Sequence, residues 1–173
     1  PCEFSYMTSS SSHSDSPINS LSDSDPLVSI VIPVYNEEGI ISAALADLTE
    51  GVGNIAIGRF AGGDIIDADG NVAIGGYDGS AQPAMRLNTK SHNNIAIGSG
   101  ALSTLNHTTA TDAYNVAIGH LAGGAVTTGV ENTLIGGLSG DALTTAGSNV
   151  AVGYLALTTE TGGQNNVAVG RSA

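Results

Sequence analysis

Four aspartates, Asp64, Asp67, Asp69 and Asp78, lie close together in the chain. Carboxylates at that density are what a hard divalent cation such as Ca²⁺ requires, since it takes several oxygen ligands. The same residues are also common, solvated turn formers, and the sequence leaves both readings open. His92, His107 and His120 sit in or beside loop-like stretches without paired spacing, and Cys2 is the only thiol, far from them. That set assembles neither a zinc site nor a nucleophile–base pair, so solvated loop histidines are expected. There is no Ser-centred elbow, and the glycines recur at intervals instead of gathering in one phosphate-binding loop. No catalytic, cofactor-binding or metal residue is assigned, and no cofactor is expected. Thr108/Thr109, Thr127/Thr128, Thr144/Thr145 and Thr158/Thr159 raise ice binding. Neighbouring residues of a strand point to opposite faces, however, so such pairs read as turn formers.

What must position these residues is a repeat. An Asn opens the same phrase seven times, at Asn54, Asn71, Asn94, Asn115, Asn132, Asn149 and Asn166, in steps of 17, 23, 21, 17, 17 and 17 residues. The phrase runs Asn, a β-branched residue, a small residue, Ile or Val, Gly. A fixed period of this length marks a solenoid, whose turns bury their apolar sides only by stacking on one another. The two longer steps place loops around "SAQPAMRLNTKSH" and "TLNHTTATDAY".

Period-two alternation sends Ile55 and Ile57 to one side of a strand and Ala56 to the other. The same columns run through Val72/Ile74, Ile95/Ile97, Val116/Ile118, Thr133/Ile135, Val150/Val152 and Val167/Val169. The bulky columns are expected to face inward. They are joined by a third column six residues after each Asn: Phe60, Tyr77, Gly100, Leu121, Leu138 and Leu155. The opposite column is Ala in every copy except Leu134. Small side chains let backbones approach, and narrow cores gain from oligomerisation. The Ala column is therefore expected near the axis of a parallel homotrimer, with Leu134 marking a local widening or an end of close contact. The recurring Asn reads as an amide ladder along the rod, in preference to unconnected turn residues.

The composition agrees with a narrow rod. Gly is 24 of 173 residues, there is no Trp, and aromatics are 4%. The net charge is −12, with four cations, Arg59, Arg86, Lys90 and Arg171. Four scattered cations make no phosphate-tracking stripe, which argues against nucleic acid and anionic membrane surfaces as partners. No apolar run reaches the ~18 residues of a spanning helix, and the opening residues lack the pattern of a secretory signal. Met7 is a candidate start behind six vector-derived residues; a partial chain is the other reading.

The chain divides into three parts. Residues 1–26 are a Ser/Asp-rich arm too poor in apolar residues to order alone. Residues 27–50 read as a strand-helix anchor. "LVSIVIPV" is the strand, Asn36 is the helix cap, and Ile40, Ile41, Ala44, Leu45 and Leu48 form one helical face. Residues 51–173 are the seven-coil repeat domain. The fold class is mainly β: a short parallel β-solenoid of ~17-residue coils, homotrimeric, behind a small strand-helix segment and a disordered arm.

"NNIAIGSGAL", "YNVAIGHLAGG" and "SNVAVGYLALTTETGGQNNVAVG" resemble two groups. The heads of trimeric autotransporter adhesins carry "AIG"-type repeats, of a shorter period than the coil here. The closer resemblance is to bacteriophage fibre and decoration proteins with "NNTAVG"-type solenoid repeats, often upstream of an intramolecular chaperone domain; it covers about residues 52–173. A second resemblance involves other residues. "PLVSIVIPVYNEEGIISAAL" looks like the opening strand and helix of GT-A-type glycosyltransferases, and "GGDIIDADG" like their metal-binding Asp-x-Asp, here Asp67 and Asp69. Too few residues separate the two segments for that family's further β/α units.

The first resemblance implies a non-enzymatic virion protein, a phage head decoration or short fibre. It would be a homotrimer on the particle surface, gripping a capsid or tail protein through residues 1–50. A host-surface glycan is a further candidate partner; nucleic acid and membrane insertion are not expected. The alternatives are a bacterial surface adhesin head and, in another class, a truncated nucleotide-sugar glycosyltransferase.

Overall fold

The structure is a computed structural model and describes Ala44, Leu45 and residues 47–173. The arm, the anchor strand and the first part of the anchor helix lie outside the described residues. The chain winds as a parallel β-solenoid. Seven three-residue strands stack into one sheet: β1 (Ile55–Ile57), β2 (Val72–Ile74), β4 (Ile95–Ile97), β6 (Val116–Ile118), β7 (Thr133–Ile135), β8 (Val150–Val152) and β9 (Val167–Val169). All neighbours are parallel and in strict register, so Ala56 faces Ala73, Ala73 faces Ala96, and so on to Ala168. The two longer coils carry β3 (Ser91–His92) and β5 (Thr111–Asp112), which pair parallel in a second sheet.

The strand faces are the reverse of the sequence expectation. Ala56, Ala73, Ala96, Ala117, Leu134, Ala151 and Ala168 point into the coil and are buried, five of them with no exposed surface. The Ile and Val columns point out: Ile55 is 53% exposed, Ile118 36%, and Val167 76%. The reason is steric. A coil of 17 residues leaves little room between its walls, and only a small residue on the strand lets the opposite wall close on it. That wall is a second Ala column, Ala61, Ala84, Ala101, Ala122 and Ala156, also buried. The larger core groups come from a position the alternation does not reveal, eleven residues after the Asn in coils without the first insertion: Ile65, Leu105, Val126 and Leu143.

Leu134, expected at a contact between subunits, lies inside the coil instead, in space that neighbouring glycines leave to it. A Cβ on Gly123 would lie 2.7 Å from one Leu134 methyl, and one on Gly140 would lie 2.8 Å from the other. In the coils of Ala96 and Ala151 the position of Gly140 is taken by Leu102 and Leu157, whereas the coils of Ala56 and Ala117 carry Gly62 and Gly123 there. The column that begins with Phe60 also departs from expectation. Phe60, Leu121, Leu138 and Leu155 are half-buried flank residues with φ of 61°, 56°, 56° and 59°, while Tyr77 is exposed. They stand at the turn and direct the next residue inward.

The Gly that ends each phrase has a backbone reason. Gly136 has φ 132°, and a Cβ there would lie 2.4 Å from the Gly153 carbonyl oxygen of the next coil. No L-residue fits both conditions. At the other end of the phrase, each Asn follows a left-handed residue, among them Asn93, Tyr114, Glu131, Ser148 and Asn165, with φ between 50° and 60°.

The solenoid begins earlier than residue 51. Leu45 N–H donates to Ala61 O, Asp47 N–H to Gly63 O and Thr49 N–H to Ile66 O, at 3.1, 3.2 and 3.0 Å. Leu45, with φ 54°, sits in a turn and packs on the core. The end of the expected anchor helix is thus part of a coil: the spacing of Ala44, Leu45 and Leu48 suits a coil interior as well as a helical face.

Candidate functional site

The four aspartates lie on coils 1 and 2 and are engaged separately. Asp64 forms an ion pair with Arg86. Asp67 faces Lys90 at 3.6 Å, and its Oδ1 is buried without a hydrogen-bond partner. Asp69 Oδ1 accepts the Val52 N–H at 2.8 Å, and its own N–H donates to His92 Nδ1 at 2.9 Å. Asp78 accepts the N–H groups of Ser80 and Ala81 at 2.9 and 2.7 Å. Those two bonds, first Ser80 and then Ala81, hold its carboxyl below the ordinary aspartate range, with His120 adding a smaller share. Among the described residues no three His, Cys, Asp or Glu side chains converge on a point that could hold a metal ion. Asp67 and Asp69, the pair that resembles Asp-x-Asp, flank the buried Ala68 within one coil turn.

His107 is not the solvated loop histidine expected from sequence. It is 9% exposed, with Nδ1 2.7 Å from Ser91 Oγ and Nε2 3.2 Å from Thr128 O. A carbonyl only accepts, so Nε2 carries the proton and Nδ1 accepts the Ser91 hydroxyl. Ser91 is fully buried; its N–H donates to Asn88 Oδ1 at 2.9 Å and its carbonyl accepts from Asn88 Nδ2 at 3.0 Å. A Ser–His pair closed off in this way has no access to substrate. It stitches the two inserted loops together where a regular coil would place an apolar side chain.

The Asn column forms the expected ladder. Asn71 Oδ1 accepts both the N–H and Nδ2–H of Asn94, Asn94 those of Asn115, and the pattern repeats to Asn166 at 3.0–3.2 Å. The second Nδ2 proton goes to a carbonyl on the far side of the coil, as from Asn115 to Gly129 and Asn132 to Ala146 at 2.9 Å. Inner members are fully buried and fully satisfied.

The surface that stands out is the outer face of the seven-stranded sheet. It carries two side-chain columns, Ile55/Ile57 through Val167/Val169, of which thirteen of fourteen are Ile or Val and one is Thr133. None is charged, in a chain of net charge −12. At ~4.8 Å between strands and ~3.3 Å per residue, the strip is roughly 300 Å² in projection, the size of the largest apolar patch on an ordinary monomer, which is often functional. Half-buried Leu121, Leu138 and Leu155 carry apolar surface around its flank. The signal for this arrangement was present in the sequence as the second Ala column, seven residues after the Asn in coils without the first insertion. Two columns of Ala facing one another mark an inside.

No family model, curated protein or solved structure matches the chain. Among the described residues no helix is long and apolar enough to cross a membrane.

Proposed function

We propose that this chain is a structural protein of a particle surface, a phage head decoration or short fibre, whose solenoids associate side by side through the Ile/Val face. The observation that carries this reading is that face. It is regular, uncharged and continuous over seven strands. A β-branched array of this kind suits packing against an identical array, because a copy has the same spacing along the rod. Three copies around one axis use it best. The strip is only three residues wide, and the Leu121, Leu138 and Leu155 flank lets wedge-shaped coils touch on their sides as well. The axis is lined by Ile and Val, and the Ala columns stay inside each coil. Residues preceding the solenoid would attach it to a capsid or tail protein.

Sedimentation equilibrium of the full chain tests this directly. The expected mass is three chains. Replacing Ile97 and Ile118 together with Glu should give monomers whose β circular dichroism is unchanged. A wild-type chain that stays monomeric at every concentration would exclude the reading.

A further inference from the structure

The sequence contains two Asp-Gly pairs, Asp69-Gly70 and Asp78-Gly79. Such a pair can rearrange, because no side chain shields the glycine nitrogen from the aspartate Cγ and the glycine backbone turns freely. The fold treats the two pairs differently.

Asp69-Gly70 is clamped between coils. Gly70 N–H donates to Val52 O at 2.9 Å, and Asp69 Oδ1 accepts the Val52 N–H at 2.8 Å. On the other side, Asp69 N–H donates to His92 Nδ1 and Asp69 O accepts the Asn93 N–H, both at 2.9 Å. A Cβ on Gly70 would lie 2.6 Å from Asn93 Oδ1. The nitrogen that would have to attack is committed, and its surroundings leave no room to turn.

Asp78-Gly79 lies in the first insertion, outside any strand. Tyr77, Asp78, Gly79 and Ser80 are all exposed. Among the described residues the Gly79 N–H has no hydrogen-bond partner, and a Cβ on Gly79 would meet nothing within 4 Å. Asp78 Oδ1 accepts the N–H groups of Ser80 and Ala81 at 2.9 and 2.7 Å. Those bonds fold the carboxyl forward over the Gly79 peptide, which holds Cγ beside the free nitrogen.

We propose that Asp78-Gly79 is a self-modification site, where the folded chain converts to an isoaspartyl linkage while Asp69-Gly70 is protected. Gly79 N attacks Asp78 Cγ. The N–Cγ bond forms, the Cγ–OH bond breaks, and the hydroxyl leaves as water with the amide proton. Water then opens the succinimide. Opening at Cγ restores aspartate. Opening at the Asp78 main-chain carbonyl breaks its bond to Gly79 N, so the main chain now runs through Cβ and Cγ and the former α-carboxyl becomes the side chain. The hydroxyl leaves from the protonated carboxyl, whereas the Ser80 and Ala81 bonds favour the charged form. Conversion is therefore slow at neutral pH and quicker in mild acid.

The product loosens the insertion. The Asp78 carboxyl links the coil of Asn71 to those of Asn94 and Asn115, through a hydrogen bond with Ser99 and through Oδ2, 3.5 Å from His120 Nε2. An isoaspartyl residue adds a methylene to the backbone and moves the carboxylate, so these ties go with the Ser80 and Ala81 bonds. The Asn ladder does not pass through this peptide and stays intact.

Ageing the full chain in warm buffer at neutral and mildly acidic pH, followed by peptide mapping and labelling with an isoaspartyl methyltransferase, provides the test. Isoaspartate should accumulate at residue 78, preceded by a species lighter by one water. Residue 69 should lag by at least about tenfold, the factor that opening one backbone hydrogen bond imposes. In denaturant the two sites should convert at similar rates, since the protection belongs to the fold. Gly79→Ala should slow the conversion, and Asp78→Glu should abolish it. Equal rates at both sites in the folded chain would overturn the proposal. So would a folded chain that gains no isoaspartate at residue 78 while the denatured chain does.

Discussion

The coils from Asn115 onward and the two inserted coils from Asn71 to Tyr114 solve the same packing problem with opposite materials. In the later coils, Val126 and Leu143 fill the interior and every turn repeats at 17 residues. In the first inserted coil Asn88 replaces the apolar group, the second keeps Leu105, and between them Ser91 and His107 close a buried hydrogen-bonded network beside an extra two-stranded sheet. The Asn ladder passes through both without a break. The ladder and the strand register are therefore the constant of the fold, and the interior opposite the sheet is free to vary, provided that its polar groups find partners.

The sharpest test of that division is a charge at the constant side of a regular coil. Ala151 has no exposed surface and points into the coil. Ala151→Glu buries an unpaired carboxylate and overfills the coil, and should abolish cooperative unfolding, a loss of at least about 4 kcal/mol. Val152→Glu, one residue on and on the outer face, should leave the monomer folded. Thermal melts followed by circular dichroism distinguish the two; equal damage from both would mean that the faces are misassigned.

The next effect is on the ladder itself. Asn132→Ala strands the N–H and one Nδ2–H of Asn149 and the Ala146 carbonyl, and leaves Asn115 Oδ1 with only the backbone N–H of residue 132. Several buried polar groups lose partners at once, so the expected cost is about 3–5 kcal/mol, read from denaturant titration. A cost near that of an ordinary surface Asn would show that the ladder is an accompaniment of the fold and not its spine.

These two tests separate what was legible in the sequence from what was not. The period, the parallel stacking and the Asn ladder could be read directly, because each depends on one residue type recurring at one position. Which face of the strand lies inside could not be read from alternation, since Ile-out/Ala-in and Ala-out/Ile-in give the same pattern. The rule that bulky apolar residues go inside fails here, as the coil is too thin to hold two β-branched columns. Ile65, Leu105, Val126 and Leu143 were hidden because turn-forming neighbours surround them. The two insertions could be located from the step lengths, but their polar interior could not. Ser91 and His107 are 16 residues apart and meet only because β3 and β5 pair. The four aspartates were visible as a group, yet the coil gives each its own partner.

A smaller effect is expected in the inserted coils. Ser91→Ala removes one hydroxyl donor to His107 Nδ1 and leaves the Asn88 bonds to the Ser91 backbone intact. The cost should be about 1–2 kcal/mol, the penalty of one unsatisfied buried acceptor. If it matched the cost of Asn132→Ala, the inserted network would be as much a part of the constant frame as the ladder is.

The smallest effect lies at the edge of the first insertion and depends on pH. Asp78 accepts from the N–H groups of Ser80 and Ala81, and its carboxyl titrates below the ordinary aspartate range because those bonds favour the charged form. The sign follows from linkage. A group with a depressed folded pKa contributes order that is fully present above its unfolded pKa and is lost as pH falls through the folded value. The turn at residues 78–81 should therefore hold from neutral pH down through the ordinary aspartate range and loosen only below it. Glu160, in the last regular coil, accepts from Gly163 and Gly162 in the same manner and should follow the same course. Both side chains are open to water, so the change is local and global stability should barely move. Amide proton shifts of Ser80 and Ala81, followed through an acid titration, should report the transition, and Asp78→Asn should remove it. A titration midpoint at or above the ordinary aspartate value would show that the two N–H groups do not hold the carboxylate in solution.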